Sequence, residues 1–242
     1  MANQKLNLRT RLIRNIVNGR NSFIDISKCQ EKDLRLAIND VITKLFQQRD
    51  FSSLTLLHKK SIVLNDIIKD LKERYSNTSF STCFDSSTMK PDGGLLYLVD
   101  RQENMYPILI AEKKNQGTND IREKEGQKKQ AKGNAIERLG KNVIGLKTYT
   151  MKWNIFPFVC FGDGCDFAEG SSIIDRVKTM AMYGNLNEES IFPTDNNSFL
   201  RGTFYFRAQK WSRQEMFEKS YSIAEKSIYY FFARYGKQNF IN

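Results

Sequence analysis

Two short apolar runs constrain this chain more than any other feature: LLYLVD at 95–100 and YPILIAEKK at 106–114. They flank a polar connection, 101–105, and read as a strand pair. Helical spacing precedes them. Leu34, Ile38, Val41, Ile42, Leu45 and Phe46 recur at helical intervals over 31–48, and Ile62, Ile67, Ile68, Leu71 and Tyr75 over 61–75. After them, a helix is expected from near Asn134. A buried strand, IFPFVCF (155–161), closes on Gly162-Asp163-Gly164. A helix at 171–182, a strand at 203–208 and a long amphipathic helix at 213–235, ending before Gly236, complete the pattern. With no repeat and no linker, this alternation predicts one α/β domain over 29–242. Residues 1–28 are polar and basic, with Arg9, Arg11, Arg14 and Arg20, while Leu12, Ile13, Ile16 and Val17 supply one helical face. A basic arm and a short helix both fit.

The second run ends in charge. Side chains alternate along a strand, so Ile108, Ile110, Glu112 and Lys114 share one face, and Leu109, Ala111 and Lys113 the other. Asp92 sits in a Pro-Asp-Gly-Gly turn just before the first strand, and the two glycines allow a tight backbone there. That turn can bring Asp92 beside Glu112 and Lys114. Two carboxylates at one point repel each other unless a cation stands between them. A hard dication with oxygen ligands, Mg²⁺ above all, suits such a pair. A metal so held activates water and neutralises charge on a phosphodiester, while Lys114 can orient the water or stabilise the developing charge. Taken singly, Pro-Asp-Gly is an ordinary turn and Glu-x-Lys an ordinary solvated ion pair. Together they form the Pro-Asp, hydrophobic strand, Glu-x-Lys signature of metal-dependent nucleases.

Charge points the same way. Lys and Arg number 38 against 27 Asp and Glu, a net charge of +11, which implies an anionic partner, nucleic acid first and an anionic membrane surface second; a merely basic soluble protein fits the charge alone equally well. No apolar run approaches the roughly 20 residues of a membrane helix, and the N-terminus lacks a signal-peptide apolar region. The four cysteines, Cys29, Cys83, Cys160 and Cys165, have no zinc spacing and read as reduced, buried thiols. With His58 the only histidine, no His-based triad is available. His58 stands beside Lys59 and Lys60 and reads as a surface or DNA-facing residue.

A second motif, GNAIER, opens the helix near residue 134. Asn134 and Arg138 lie on one face near its N-terminus. An amide suits adenine in the major groove and a guanidinium suits purine acceptors. Ala135 is small enough for a close approach, and Glu137 can fix the guanidinium across a subunit boundary. A capped surface helix with an internal ion pair is the plainer reading of the spacing alone.

The segments KPDGG, AEKKNQG and GNAIERLGKN, in that order, closely resemble the EcoRI family of type II restriction endonucleases, within the PD…ExK nuclease superfamily. Fainter matches, SLTLLHKKSI and DIIKDLKE upstream, FPFVCFGDG, DRVKTMAMYG and MFEKSYSIAEKS downstream, extend the resemblance over roughly 50–235. The resemblance implies an α/β fold with a central mixed five-stranded sheet flanked by helices. It implies a homodimer that cuts both strands of a palindromic double-stranded DNA site with Mg²⁺, leaving 5′ phosphate and 3′ hydroxyl ends. Asp92, Glu112 and Lys114 match its catalytic positions. Asp92, Glu112 and the carbonyl of Lys113 match its metal ligands. Gly133, Asn134, Ala135 and Arg138 match the segment that reads an AATT core, Gln116 a residue near the bases, and Arg176, across a gap, an arginine near the DNA. A methyltransferase of the same specificity and a prokaryotic cytoplasm follow from such a role.

The chain also departs from the family. Gln130-Ala131-Lys132 precedes Gly133 where the family carries small apolar residues, and 117–133 is shorter and more basic, so the outer base pair stays open. Lys132 reads either as a contact to an outer G·C pair or as a phosphate contact. Lys128 and Lys129 are candidates for phosphate contacts. Two other functions compete: a sequence-specific DNA-binding protein with a silent cleavage centre, and a repair or recombination nuclease on the same fold.

Overall fold

A computed structural model describes residues 22–77, 79–81, 84–115, 126, 134–164, 167, 172–180, 186–193 and 200–241. The first helix, α1 (Ser22–Gln47), starts well before residue 31 and buries Leu34, Ala37, Ile38, Val41 and Leu45 along one stripe. Next come β1 (Thr55–Lys59), β2 (Ile62–Val63), α2 (Leu64–Arg74) and β3 (Thr88–Met89). The strand pair is β4 (Leu95–Val99) and β5 (Met105–Asn115). Then follow α3 (Asn134–Thr150), β6 (Phe158–Asp163), α4 (Ser172–Met180), β7 (Thr203–Arg207) and α5 (Arg213–Tyr235).

The main sheet has the order β1-β4-β5-β6-β7. Its first three strands are antiparallel neighbours, and β5, β6 and β7 run parallel. This is the expected mixed five-stranded sheet. On one face α1 and α5 pack against each other and against β5. On the other, α3 contacts α2, α4 and the small β2–β3 sheet, and a buried hydrogen bond of 3.1 Å between the Tyr97 and Tyr149 hydroxyls ties it to β4. A capping box starts α5: Ser212 Oγ accepts from Glu215 N at 3.2 Å, and Ser212 N donates to Glu215 Oε2 at 2.9 Å.

Several expected boundaries move. Ile62 lies in a strand, and the helix of this region begins at Leu64. The strand expected at 155–161 begins at Phe158, immediately after Pro157, which has no N–H for a ladder. The edge strand β1 was not expected: its polar HK end and largely exposed side chains hide it. Along β5 the alternation is interrupted once. Leu96 pairs with Leu109 but Tyr97 with Pro107, so Ile108 is an extra, bulged residue. Tyr106 therefore packs on Phe231, Tyr235 and Phe240 of the α5 side, and from Ile108 onward the alternation runs unbroken to the charged end. Of the thiols, Cys160 is buried as expected but Cys29 is exposed on the outer side of α1; Cys83 and Cys165 fall outside the described residues. No described helix is long and apolar enough to cross a membrane.

Candidate active site

The charged end of β5 lies at the carboxyl ends of the parallel strands, where open α/β sheets place their ligand sites. The Pro-Asp-Gly-Gly turn docks directly on it. Gly94 N donates to Pro91 O at 3.0 Å, closing the turn, and Gly93 N donates to Ala111 O at 2.9 Å. A side chain at Gly93 would come within 2.8 Å of the Ala111 Cβ, so only glycine lets the turn lie this close to the strand. Gly94 adopts a φ of 74°. From the opposite side, His58 Nε2 of β1 hydrogen-bonds Gly93 O at 2.9 Å. The lone histidine thus buttresses the turn, a role that sequence position alone did not reveal.

Docking brings Asp92, Glu112 and Lys114 together. Asp92 N donates to Glu112 Oε2 at 3.0 Å, and Asp92 Oδ2 accepts from Lys113 N at 3.1 Å. The Lys114 ammonium lies within reach of three oxygens: Glu112 Oε1 at 2.5 Å, Lys113 O at 3.1 Å and Asp92 Oδ2 at 3.2 Å. Glu112 is 1% exposed. Its burial raises its pKa and the Asp92 charge adds to that, while Lys114 pulls the other way; the net direction is upward. For Lys114, burial lowers the pKa, but the Glu112 and Asp92 carboxylates outweigh it and the ammonium is held above the ordinary lysine value. The side chains of Asp92 and Lys114 retain some solvent access, so the cluster opens to solvent on their side and is closed behind Glu112.

Among the described residues no three His, Cys, Asp or Glu side chains stand together, so a cation here depends on two carboxylates and a carbonyl. Their chemistry fits a hard dication. All three are oxygen donors, and all three already converge on one positive centre, the Lys114 ammonium.

The site extends into α3. Asn142 Nδ2 donates to Glu112 Oε1 at 3.2 Å. Asn134, Arg138 and Asn142 follow at intervals of four, so one helical face runs from the GNAIER motif to the buried carboxylate. That spacing was visible in the sequence, within GNAIERLGKN; its meeting with Glu112 was not. Asn142→Ala is expected to slow cleavage about tenfold at every DNA site alike, since a hydrogen bond to a charged group contributes roughly 1.5–3 kcal/mol, part of which the neighbouring Lys114 and Asp92 N retain. Single-turnover rates on several duplexes check this. A rate unchanged on all of them removes Asn142 from the site.

The remaining expected residues are placed as follows. Asn134 and Ala135 open α3, but their side chains are outside the described set. Arg138 is exposed on α3 and Arg176 is exposed on α4, a helix in contact with α3. Gln116, Lys128, Lys129, Lys132 and Gly133 lie outside the described residues. A cleft of about 510 Å³ opens beside the turn, with Arg35, His58, Lys60 and Lys90 in its wall.

A mixed sheet whose central strand carries this carboxylate–lysine cluster, covered by a Pro-Asp-Gly-Gly turn, defines a nuclease of the restriction-endonuclease fold. The family described as Restriction endonuclease EcoRI matches residues 18–238, and the chain belongs to that family. It is 30% identical over 226 residues to the type II restriction enzyme RsrI of Cereibacter sphaeroides, covering 78% of this chain and 79% of that protein. It is 28% identical over 164 residues to the type II restriction enzyme EcoRI of Escherichia coli, covering 64% of this chain and 58% of that protein.

Proposed function

We propose that this protein is a Mg²⁺-dependent type II restriction endonuclease that cuts both strands of a short palindrome with an AATT core as a homodimer. The observation that carries the reading is the convergence of Asp92, Glu112 and the Lys113 carbonyl around the Lys114 ammonium. Those three oxygens would hold the dication. When bound, Mg²⁺ neutralises charge on the phosphodiester and acidifies a water. Lys114 orients the attacking water and stabilises the charge that develops on the phosphoryl oxygens. Water displaces the 3′ oxygen in line, leaving a 5′ phosphate and a 3′ hydroxyl, with no covalent enzyme intermediate. Glu112, held by Asn142 and by Asp92 N, stays fixed while the more open Asp92–Lys114 side receives the DNA. Gln116, Gly133, Asn134, Ala135 and Arg138 read the bases, and Arg176 lies near the duplex. Such an enzyme works in a prokaryotic cytoplasm beside a DNA methyltransferase of the same specificity, which protects the host's own sites.

Digesting a randomised duplex pool with Mg²⁺ and sequencing the ends tests the reading. One recurrent palindrome containing AATT is expected. Scattered cuts would point to a repair or recombination nuclease, and binding without cuts to a silent centre. The net charge of +11 and the two lysines, Lys60 and Lys90, in the wall of the cleft beside Asp92 suit a polyanion.

Binding is accordingly expected to weaken steeply with salt, each neutralised phosphate adding about −0.9 to the slope of log K against log salt. Lys128→Ala with Lys129→Ala should weaken all sequences equally and flatten that slope. An unchanged slope makes these two lysines a solvated face.

A further inference from the structure

The end of β5 that carries the cluster is supported unevenly along its two edges. β4 pairs with β5 no further than Leu95 opposite Ile110. Beyond that point, among the described residues, the docked turn alone hydrogen-bonds to this edge, through Gly93 N to Ala111 O, Ala111 N to Gly94 O and Lys113 N to Asp92 Oδ2. On the other edge β6 pairs as far as Asn115 opposite Asp163. A strand end with a regular ladder on one side only is free to twist unless side chains hold it.

Side chains on the face away from the cluster do so. The Lys113 ammonium pairs with the Asp163 carboxylate, the two residues being 5% and 2% exposed. Asp163 also accepts from Trp211 N at 3.1 Å and from Gln30 Nε2 at 3.3 Å. Gln30, itself buried, accepts at Oε1 from Asn115 Nδ2 at 2.8 Å. Residues 113 and 115 are thereby tied to β6, to α1 and to the residue preceding the cap of α5. A buried ion pair is a weak source of stability, because desolvation offsets the attraction and well-packed apolar residues often do as well or better. It does supply direction: hydrogen bonds fix a strand's rotation in a way that apolar contacts do not.

We propose that Lys113 and Asp163, together with Gln30, are positioning residues for the cleavage centre. They lock the 112–115 end of β5, and with it the Lys113 carbonyl and the Glu112 and Lys114 side chains. Neither the Lys113 side chain nor Asp163 touches the cluster on the opposite face. What the centre does rests on the nuclease reading above; the locking itself is a property of the strand.

The test uses two variants: Lys113→Met with Asp163→Asn, which removes both charges together and keeps an amide oxygen to accept from Trp211 N, and Gln30→Leu, which removes the amide bridge between Asp163 and Asn115. Each is compared with wild type by thermal unfolding, by amide hydrogen exchange, by duplex affinity without metal, and by single-turnover cleavage with Mg²⁺. The duplex is the palindrome recovered from the randomised pool. The double variant is expected to change Tm little, to lose exchange protection only at 112–115, and to cleave about 10–100-fold more slowly with unchanged affinity, as misplacement of reacting groups predicts. Gln30→Leu should move protection and rate in the same direction by less. Wild-type protection at 112–115 with a wild-type rate in the double variant overturns the proposal. So does a rate loss that follows a fall in Tm in both variants, which makes the network a structural one. If wild type cuts no duplex, the nuclease reading fails, and protection at 112–115 still decides whether these residues lock the strand.

Discussion

Lys114→Ala is expected to slow cleavage by on the order of 10²–10⁴-fold, the range contributed by a positioned proton-transfer group, with sequence-specific binding retained. The argument starts from the three oxygens around the ammonium. Removing the ammonium leaves Asp92 and Glu112 facing each other without the cation that separates them, and like charges so placed attract a dication more strongly. Metal holding should therefore survive while the chemistry is lost. Asp92→Ala and Glu112→Ala should instead lose cleavage together with its response to Mg²⁺, because each removes a ligand oxygen. Single-turnover rates over a range of Mg²⁺, with duplex binding measured in parallel, separate the two cases. A Lys114→Ala enzyme that cuts near the wild-type rate overturns the assignment of the lysine to the chemistry.

The trio was legible in the sequence because it follows from short-range rules. Strand alternation places Glu112 and Lys114 on one face, and two glycines after Asp92 allow the turn to fold onto the strand. The partners that complete the site are set by long-range packing. Lys113 was assigned to the opposite face correctly, yet nothing local says that Asp163 meets it there. That depends on the parallel register of β5 with β6, in which Lys113 stands opposite Phe161 and Asn115 opposite Asp163. Gln30 reaches the same point only because α1 crosses the sheet at this end. His58 was placed at the surface, and it is exposed, but its ring also supports Gly93 O. β1 escaped notice for a related reason: an edge strand shows one polar side to solvent and need not alternate cleanly. The helices, whose apolar stripes repeat over many residues, were read closely in α5 and α4. They were read less well at the start of α1, which begins at Ser22 and not near residue 31.

Arg138→Ala is expected to blur recognition of the palindrome's core without impairing the fold. Arg138 is exposed, and exposed helix positions tolerate alanine within about 0.5 kcal/mol. A bidentate contact to a purine discriminates by about 1–3 kcal/mol. In the proposed homodimer on a palindrome the contact would occur twice, so the loss would double to roughly 2–6 kcal/mol, or about 30-fold to 10⁴-fold in affinity for the cognate site. Non-specific binding should hardly move, because it rests on phosphate contacts made elsewhere. The helix makes a second outcome informative. Arg138 lies one turn from Asn142, and Asn142 holds Glu112. A disturbance passed down α3 would slow cleavage of cognate and altered sites by the same factor, as Asn142→Ala should. A lost base contact would instead compress the difference between them. Measuring cleavage of every single-base-pair variant of the core by wild type, Arg138→Ala and Asn142→Ala distinguishes these. If Arg138→Ala keeps the wild-type ranking of sites at a uniformly lower rate, Arg138 acts through Asn142 or a phosphate and is not a reader of bases.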